Sequence, residues 1–380
     1  MTSSLATMTR SSAALTLLLS VLAGVASACR NGTGPSGSAN PTVVWRATLS
    51  VDPQQYWLGR PAADPIRTIV EAGNQLFALN SATGALLWQH KVRIAPDPPT
   101  TVPLIDAGRV YLAEYDSTFA LDAATGTTIW TFHPDSSGVV VPAIDATTIY
   151  IGQRGIPIVY ALDKATGAPR WRTNVGVGYT FGAVVFGLAV RGDTVYATVW
   201  RDKSVNGFLR SGVLVALDRS DGHELWRYET PGDHGSFVTA PLLLPDVVII
   251  NDFAGDAVLA IDPRTQSLRW RSPVTDAYLI YGNGTLYGAG ADGHAFAMNV
   301  STGAIQWSMA FGSFASGLAL CGNGLWMNNS NLHRIDPATG ADRGVVSASG
   351  LGTFISNVGT SGQRVYVAGG NSVTAVACDQ

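Results

Sequence analysis

The stretch Ala120-Leu121-Asp122-Ala123-Ala124-Thr125-Gly126-Thr127-Thr128-Ile129-Trp130 decides the fold, because its pattern returns along the chain. The same A-[LV]-[DN]-x-x-T-G-x-x-x-W spacing ends at Trp88 and at Trp171. Alignment on the tryptophan gives seven positions: Trp45, Trp88, Trp130, Trp171, Trp226, Trp270 and Trp307. Gly344 stands where an eighth tryptophan would fall. A repeat of about 40 residues indicates stacked or ring-like supersecondary units.

Each repeat contains four short runs that are typical of β-strands. In the repeat that ends at Trp130, the runs are 102–105, 109–113, 118–122 and 127–132, and Gly, Asp and Asn residues separate them. Helical periodicity is absent after the N-terminal segment. Four strands per repeat predict an all-β, eight-bladed β-propeller. The last repeat lacks its fourth strand, so we expect residues 42–49 to close the ring from the N-terminal side.

The repeated turn has a mechanical explanation. Asp122 can accept hydrogen bonds from backbone N–H groups two and three residues later. Gly126 can adopt the positive φ that a tight turn requires. Trp130 would then lie on the outer strand and fill the wedge between neighbouring blades. The Asp, Thr and Trp residues of the motif are therefore predicted to be structural, and no catalytic residue is nominated.

Composition excludes several functions. The 380-residue chain has 42 Gly, 13% charged residues and a formal net charge of −3. Such a composition is typical of a globular, turn-rich protein and offers no basic stripe for nucleic acid. We expect a monomer that does not bind nucleic acid.

The N-terminal residues resemble an export signal. Arg10 precedes an apolar run, and small residues lead to Cys29. The ending Val25-Ala26-Ser27-Ala28-Cys29 resembles a bacterial lipobox, although Ala26 stands where leucine is usual. We expect a signal peptide at 1–28, a lipidated Cys29 with a flexible tether at 29–40, and the propeller at 41–380. The membrane would be contacted through the lipid only. The alternative is ordinary cleavage after Ala28 with a free Cys29 thiol.

The two remaining cysteines, Cys321 and Cys378, fall near hairpins of the seventh and eighth repeats. These hairpins would lie on the same face of adjacent blades, so a disulfide is geometrically feasible. Two buried, unpaired thiols are equally compatible with the sequence.

The motif and the eight units resemble the repeats of the PQQ-type propeller family, over residues 41–380. One branch comprises quinoprotein dehydrogenases, which hold pyrroloquinoline quinone (PQQ) and calcium. The other comprises BamB-like lipoproteins, which assist outer-membrane β-barrel assembly. The enzyme branch typically has adjacent, disulfide-bonded cysteines and long calcium-ligating insertions. This chain has neither adjacent cysteines nor an Asp/Glu-dense segment. The resemblance therefore implies the BamB-like branch, with no cofactor and no metal.

Two segments depart from the repeat and combine aromatic with basic residues, a mixture that is enriched in protein interfaces. The first is the connection into the first blade, with Tyr56, Trp57 and Arg60. The second explains the 55 residues between Trp171 and Trp226, and we place it between strands that end at Trp200 and begin near Gly212. Its candidate residues are Trp200, Arg201, Lys203, Phe208, Leu209 and Arg210. The alternative is a pair of solvated loops whose aromatic rings fold onto the rim.

These observations predict a non-enzymatic, exported lipoprotein that binds protein partners of the cell envelope through one face of the propeller. In a host with an outer membrane, it would lie on the periplasmic side and act in β-barrel assembly. Two alternatives stay open at this point: a PQQ-binding oxidoreductase and a carbohydrate- or cell-wall-binding propeller.

Overall fold

The computed structural model describes residues 40–51, 58–92, 102–114, 116–135, 138, 140, 142–153, 156–178, 182–204, 209–232, 235, 237, 239–274, 277–290, 292–312, 317–347 and 358–378. These residues form 32 β-strands in eight four-stranded sheets, and no helix occurs among them. In that part of the chain, nothing helical is long and apolar enough to cross a membrane. The predicted all-β, eight-bladed propeller is confirmed.

The first four blades follow one another along the chain, and each runs from its inner to its outer strand. Blade one contains β2 (Ala62–Ala63), β3 (Arg67–Ala72), β4 (Gln75–Asn80) and β5 (Leu86–Lys91). Blade two contains β6 (Leu104–Asp106), β7 (Arg109–Ala113), β8 (Thr118–Asp122) and β9 (Thr128–Phe132). Blade three contains β10 (Ala143–Ile144), β11 (Thr148–Gly152), β12 (Ile158–Asp163) and β13 (Pro169–Asn174). Blade four contains β14 (Ala183–Arg191), β15 (Thr194–Asp202), β16 (Arg210–Asp218) and β17 (Glu224–Glu229).

The remaining blades complete the ring. Blade five contains β18 (Leu242–Leu244), β19 (Val247–Asp252), β20 (Ala257–Asp262) and β21 (Ser267–Pro273). Blade six contains β22 (Ala277–Gly282), β23 (Thr285–Gly290), β24 (His294–Asn299) and β25 (Ile305–Ala310). Blade seven contains β26 (Gly317–Cys321), β27 (Gly324–Asn328), β28 (Leu332–Ile335) and β29 (Asp342–Val346). Blade eight contains β30 (Gly359–Ser361), β31 (Arg364–Gly369), β32 (Ser372–Ala377) and the N-terminal strand β1 (Val43–Thr48).

Closure of the ring occurs as the repeat predicted. Strand β1 pairs antiparallel with β32, with Trp45 opposite Ala375, and forms the outer strand of blade eight. The same blade thus combines strands from both ends of the propeller. Closure leaves every inner strand with neighbours around the ring and removes the free edge that an open array would expose.

The turn between the third and fourth strands shows why the motif repeats. In blade two, one carboxylate oxygen of Asp122 accepts hydrogen bonds from the backbone N–H groups of Ala124 and Thr125, both at 2.9 Å. Gly126 has φ of +72°, and its N–H donates to the Asp122 carbonyl oxygen at 2.8 Å. A Cβ at Gly126 would lie 2.6 Å from the Trp88 ring of blade one. Glycine is therefore required twice, for its φ and for its size.

The repeated tryptophans join each blade to the next. Trp130 of blade two is buried, and its indole Nε1–H donates to the carbonyl oxygen of Lys164 in blade three at 3.2 Å. The acceptor directly follows the third strand of the next blade. The same bond is made by Trp45, Trp88, Trp171, Trp270 and Trp307. Each indole ring therefore fills the interface between two blades while its Nε1–H group stays hydrogen-bonded.

Blade four differs from the boundaries that we predicted. Strands β14, β15 and β16 each have nine residues. Arg201 and Asp202 belong to β15, and Arg210 and Ser211 belong to β16, so the ends of these strands were placed wrongly by about two residues on each side. The extra residues between Trp171 and Trp226 lengthen the strands as well as the loop. The paired strands of blade four are therefore longer than those of the other blades, and the pairing of β15 with β16 ends at Asp202 and Arg210.

The junction between blades seven and eight is built differently. Cys321, at the end of β26, forms a disulfide with Cys378, with the two Cα atoms 5.5 Å apart. Of the two alternatives that the sequence left open, the structure has the bonded pair. Both cysteines are buried beside Trp326, whose side chain is fully buried in β27.

Candidate functional site

The antiparallel strand order gives the propeller two unlike faces. The connections between first and second strands, and between third and fourth strands, lie on one face, which we call the turn face. The connections between second and third strands and between blades lie on the other, which we call the loop face. The turn face repeats the same tight turns, whereas the loop face has connections of different length and composition.

The carboxylates of the turn face are occupied by the turns themselves. Arg170 donates to Asp163, and this bond, together with bonds from Thr166, lowers the pKa of Asp163 to about 2. Among the described residues, one group of three potential metal ligands occurs, and it is the exposed turn of Asp218, Asp221 and His223. Asp221 raises the pKa of His223 by accepting a hydrogen bond from it. These contacts serve turn geometry, as expected for the repeated motif.

On the loop face, two candidate residues, Trp200 and Arg210, form a stack with Phe186 at the end of the long strands of blade four. The Trp200 ring is parallel to that of Phe186, with centroids 5.5 Å apart and an interplanar angle of 6°. The guanidinium of Arg210 lies 3.7 Å from the Trp200 ring centroid, which is a close cation–π contact. Asp202 accepts from the Trp200 indole N–H at 3.0 Å and pairs with Arg210. The stack is therefore held in place before any partner binds.

The other basic candidates are paired within the chain. Arg201 donates to both carboxylate oxygens of Glu229, at 2.8 and 2.9 Å. Ser211 donates to the same carboxylate, and Lys203 lies 3.7 Å from it. The structure thus leaves less free positive charge at this end of blade four than the count of basic residues indicates. Leu209, in contrast, is 40% exposed.

Most exposed apolar side chains of the described residues lie on the outer strands, but four lie on the loop face of blades three to five, and sequence reasoning missed most of these four. They are Ile156 (38% exposed), Val177 (68%), Leu209 (40%) and Phe253 (48%). Each lies in a connection between second and third strands or between blades. The available signal was an apolar residue inside a Gly- and Asp-rich connection, and it is weak because such residues commonly fold back onto the core.

Backbone contacts link these connections in two groups, one within blade three and one across blades four and five. Val175 donates its N–H to the carbonyl oxygen of Pro157, which places the segment of Val177 against that of Ile156. Gly235 donates to the Arg210 carbonyl oxygen, and Phe237 forms a bridge with Asp252, the neighbour of Phe253. We call the exposed residues Ile156, Val177, Leu209 and Phe253, with the stack of Phe186, Trp200 and Arg210, the blade 3–5 patch.

Arg60 occupies a different position from the other candidates. It lies two residues before β2, the inner strand of blade one, and its side chain helps to line a cavity of about 240 Å³. The described lining also includes inner-strand residues of blades five, six and seven, among them Leu242, Leu279 and Leu318. The cavity therefore lies at the loop-face mouth of the central channel. Burial lowers the pKa of Arg60.

Four candidates lie outside the described residues: Cys29, Tyr56, Trp57 and Phe208. The same holds for the signal segment at 1–28 and for all but the last residue of the tether. Lipidation of Cys29 and a role of the three aromatic residues therefore stay predictions.

The described residues that line the channel mouth do not fit PQQ and calcium. Calcium requires six to eight oxygen ligands, yet the described residues that line the cavity include an arginine and no carboxylate. The disulfide of the propeller joins residues 57 positions apart, at the turn face of blades seven and eight, and is not a bridge between adjacent cysteines. No step of PQQ chemistry is therefore derived from these residues.

Fold and faces together define an eight-bladed propeller with one regular and one irregular face. The family model described as "Outer membrane protein assembly factor BamB" matches residues 37–158 and 119–344. The chain therefore belongs to this family of PQQ-type repeat propellers.

Individual relatives diverge in function. The crystal structure of BamB from Moraxella catarrhalis matches with a TM-score of 0.66 at 18% identity, covering 89% of this chain and 99% of that one. Quinohemoprotein alcohol dehydrogenase from Comamonas testosteroni matches with a TM-score of 0.70 at 15% identity, covering 91% and 78%. Tetrathionate hydrolase from Acidithiobacillus ferrooxidans is 23% identical over 211 residues, which is 52% of this chain and 40% of that protein. The chain thus spans about 40% of the length of the first curated relatives. Such likenesses establish the fold and leave the activity open.

Proposed function

We propose that this protein is a non-enzymatic scaffold of the bacterial cell envelope that binds a protein partner through the blade 3–5 patch. The observation that carries the proposal is the grouping of exposed apolar side chains beside a fixed aromatic–arginine stack on one face. Aromatic residues and arginine are enriched at the centres of protein interfaces, and grouped exposed apolar residues mark binding sites.

Membership of the BamB family supports the location and the class of partner. A BamB-like role would place the propeller outside the cytoplasm, tethered through lipidated Cys29, with a partner from the machinery that assembles outer-membrane β-barrels. Arg201 and Lys203 are paired with Glu229. This pairing favours a partner that binds through an apolar surface of matching shape over a partner that binds through strong negative charge.

The dehydrogenase relatives share this fold and therefore suggest a second function, that of a PQQ-dependent oxidoreductase. The described residues at the channel mouth argue against it, because they include an arginine and no carboxylate that could bind calcium. The test is to add PQQ and Ca²⁺ to the purified protein and to record absorbance after dialysis. Retained quinone absorbance would overturn the scaffold proposal.

The direct test is crosslinking in cells of the native host with a photoreactive amino acid at Val177 or Phe253. Ile66 is the matched control, because it is 57% exposed but lies in the first turn of blade one, on the turn face. We expect one discrete protein adduct from each loop-face position and none from Ile66. Equal adducts from Ile66, or none from either loop-face position, would contradict the proposal.

Substitution sharpens this test. The double variant Val177→Asp with Phe253→Asp should lower recovery of the crosslinked or co-purified partner by ten-fold or more, since charges would be buried in an apolar contact. Stability should change by less than about 0.5 kcal/mol per site, because both side chains are exposed. Ile66→Asp should leave partner recovery unchanged.

A further inference from the structure

The loop-face mouth of the central channel holds a charged group in a mainly apolar surrounding. Arg60 reaches the cavity from blade one, while strands of blades five, six and seven line it on other sides. Two contacts fix the backbone next to Arg60: Gly59 donates its N–H to the Glu71 carbonyl oxygen at 2.8 Å, and Leu58 forms a bridge with Ala72. The guanidinium is therefore presented by an ordered segment.

Arg60 has few partners for its five N–H donors. Its Nε donates to the carbonyl oxygen of Val358 at 3.0 Å. No carboxylate pairs with it within the described part of the chain, in contrast to Arg201, which binds both oxygens of Glu229. Arg60 is exposed to solvent in the channel, while the protein packed around its side chain lowers its pKa. A partly desolvated guanidinium with no carboxylate beside it attracts an anion.

We propose that Arg60 binds a carboxylate group at the loop-face mouth of the central channel. The planar guanidinium matches a carboxylate, which can accept two parallel N–H bonds. One arginine, with no second cation among the described lining residues, balances one negative charge. Phosphate carries about 1.5 to 2 negative charges at neutral pH and would be left partly uncompensated.

The size of the cavity limits the ligand. Its volume of about 240 Å³ lies below the range of roughly 300–1,000 Å³ that is usual for drug-sized ligands. A small free monocarboxylate fits, as does the C-terminal or side-chain carboxylate of a protein chain that enters from the loop face. Tyr278 and Asn251 provide further polar groups on the wall of the same cavity.

The experiment is a titration of the purified propeller with propionate, followed by ligand-observed NMR, with propionamide as the uncharged analogue. A second arm uses a short peptide with a free C-terminus and its C-terminally amidated form. We expect saturable binding of at least one carboxylate and none of the matching amide. Binding of propionate identifies a free acid as sufficient, whereas binding of the peptide acid alone identifies a protein chain as the source.

Variants assign the binding to Arg60. Arg60→Gln should weaken carboxylate binding about ten-fold or more, and Arg60→Lys should restore only part of it, because lysine lacks the planar fork. Arg264→Gln is the control, since Arg264 is an exposed arginine on the turn face of blade five. Unchanged binding in Arg60→Gln, no binding of any carboxylate to the wild type, or equal affinity for phosphate would overturn the proposal. The Val177→Asp, Phe253→Asp variant should still bind, so this test does not depend on the partner.

Discussion

The junction between blades two and three and the junction between blades seven and eight close the same gap with different residues. Trp130 joins the first pair by burying its ring and donating to the Lys164 carbonyl oxygen at 3.2 Å. At the second junction, Gly344 replaces that tryptophan, and its φ of 152° is one that glycine adopts and tryptophan avoids. The equivalent of Lys164 is Cys378, since both directly follow the third strand of a blade. At this junction the Cys321–Cys378 disulfide replaces the tryptophan ring and its hydrogen bond, which join the blades at the other junction.

The difference also changes the second strand. In several other blades this strand carries a tyrosine that packs against the repeated tryptophan, as Tyr111 does against Trp130. Blade seven carries Trp326 at the same position, fully buried, with its Nε1–H donating to the Cys321 carbonyl oxygen at 3.3 Å. The larger ring fills space that the missing outer tryptophan leaves. The tryptophan of this interface thus lies on the second strand of the blade, whereas in blade two it lies on the fourth.

The largest expected effect comes from removing a standard junction. Trp130→Ala should lower the free energy of unfolding by about 3–5 kcal/mol, because it empties a buried site and removes one of the hydrogen bonds to the Lys164 carbonyl oxygen, which keeps its bond from Arg109. Urea denaturation followed by circular dichroism measures it. Trp226→Ala is the internal comparison. Because Trp226 is only partly buried, this substitution should lower the free energy of unfolding by less than Trp130→Ala does. Equal losses would show that burial does not set the strength of a junction.

The second prediction concerns the covalent junction. Cys321→Ser with Cys378→Ser should cost about 2–4 kcal/mol, as is typical of removing a disulfide that closes a long loop; the bond spans 57 residues. Reducing agent should destabilise the wild type by a similar amount and leave the double variant unaffected. Urea denaturation with and without reducing agent, followed by circular dichroism, measures both effects. If reduction leaves stability unchanged, packing of Trp326 alone holds blades seven and eight together.

These two junctions show what the sequence could and could not predict. The eight blades, the closure by β1 and the role of the repeated tryptophans follow from a local pattern that does the same work at each occurrence. The disulfide stayed undecided because it depends on the mutual approach of two strands that no repeat specifies. The position of Arg60 at the channel mouth could not be predicted, since the direction of a long connection is set by contacts such as that of Gly59 with Glu71; its role in partner binding stays a prediction. Arg201 looked free until its pairing with Glu229 in another strand was visible.

The third prediction separates the two reasons for glycine in the repeated turn. Gly126 and Gly108 have nearly the same φ, +72° and +76°, but a Cβ would meet the Trp88 ring at 2.6 Å in the first case and nothing within 4 Å in the second. Gly108→Ala should cost about 1–2 kcal/mol for backbone strain. Gly126→Ala should cost about 1–3 kcal/mol more, because the ring must move. Equal costs in urea denaturation would mean that the blade interface adapts without loss.

The smallest expected effect concerns the turn where the repeat itself departs from glycine. Gln266 holds φ of +58° in blade five, at the turn position where a Cβ on the equivalent Gly126 would lie 2.6 Å from the tryptophan ring of the preceding blade. Trp226 is tilted accordingly: its plane makes 66° with Tyr196, against 41–46° for the equivalent pairs of Tyr111, Tyr150, Tyr287 and Tyr366. Among the described residues, Trp226 makes no indole bond to the next blade, unlike Trp130.

Gln266→Gly should therefore raise the free energy of unfolding by up to about 1 kcal/mol, since glycine adopts this φ without strain and frees space for the ring. Asn283→Gly is the matched control, because Asn283 also has a positive φ, of 53°, but asparagine tolerates it better than glutamine does. The measurement is the urea midpoint together with tryptophan fluorescence, which should shift to shorter wavelength only if Trp226 becomes more buried. A gain in stability without that shift would assign the effect to the backbone alone. A loss would mean that Gln266 makes the tilted arrangement the better one.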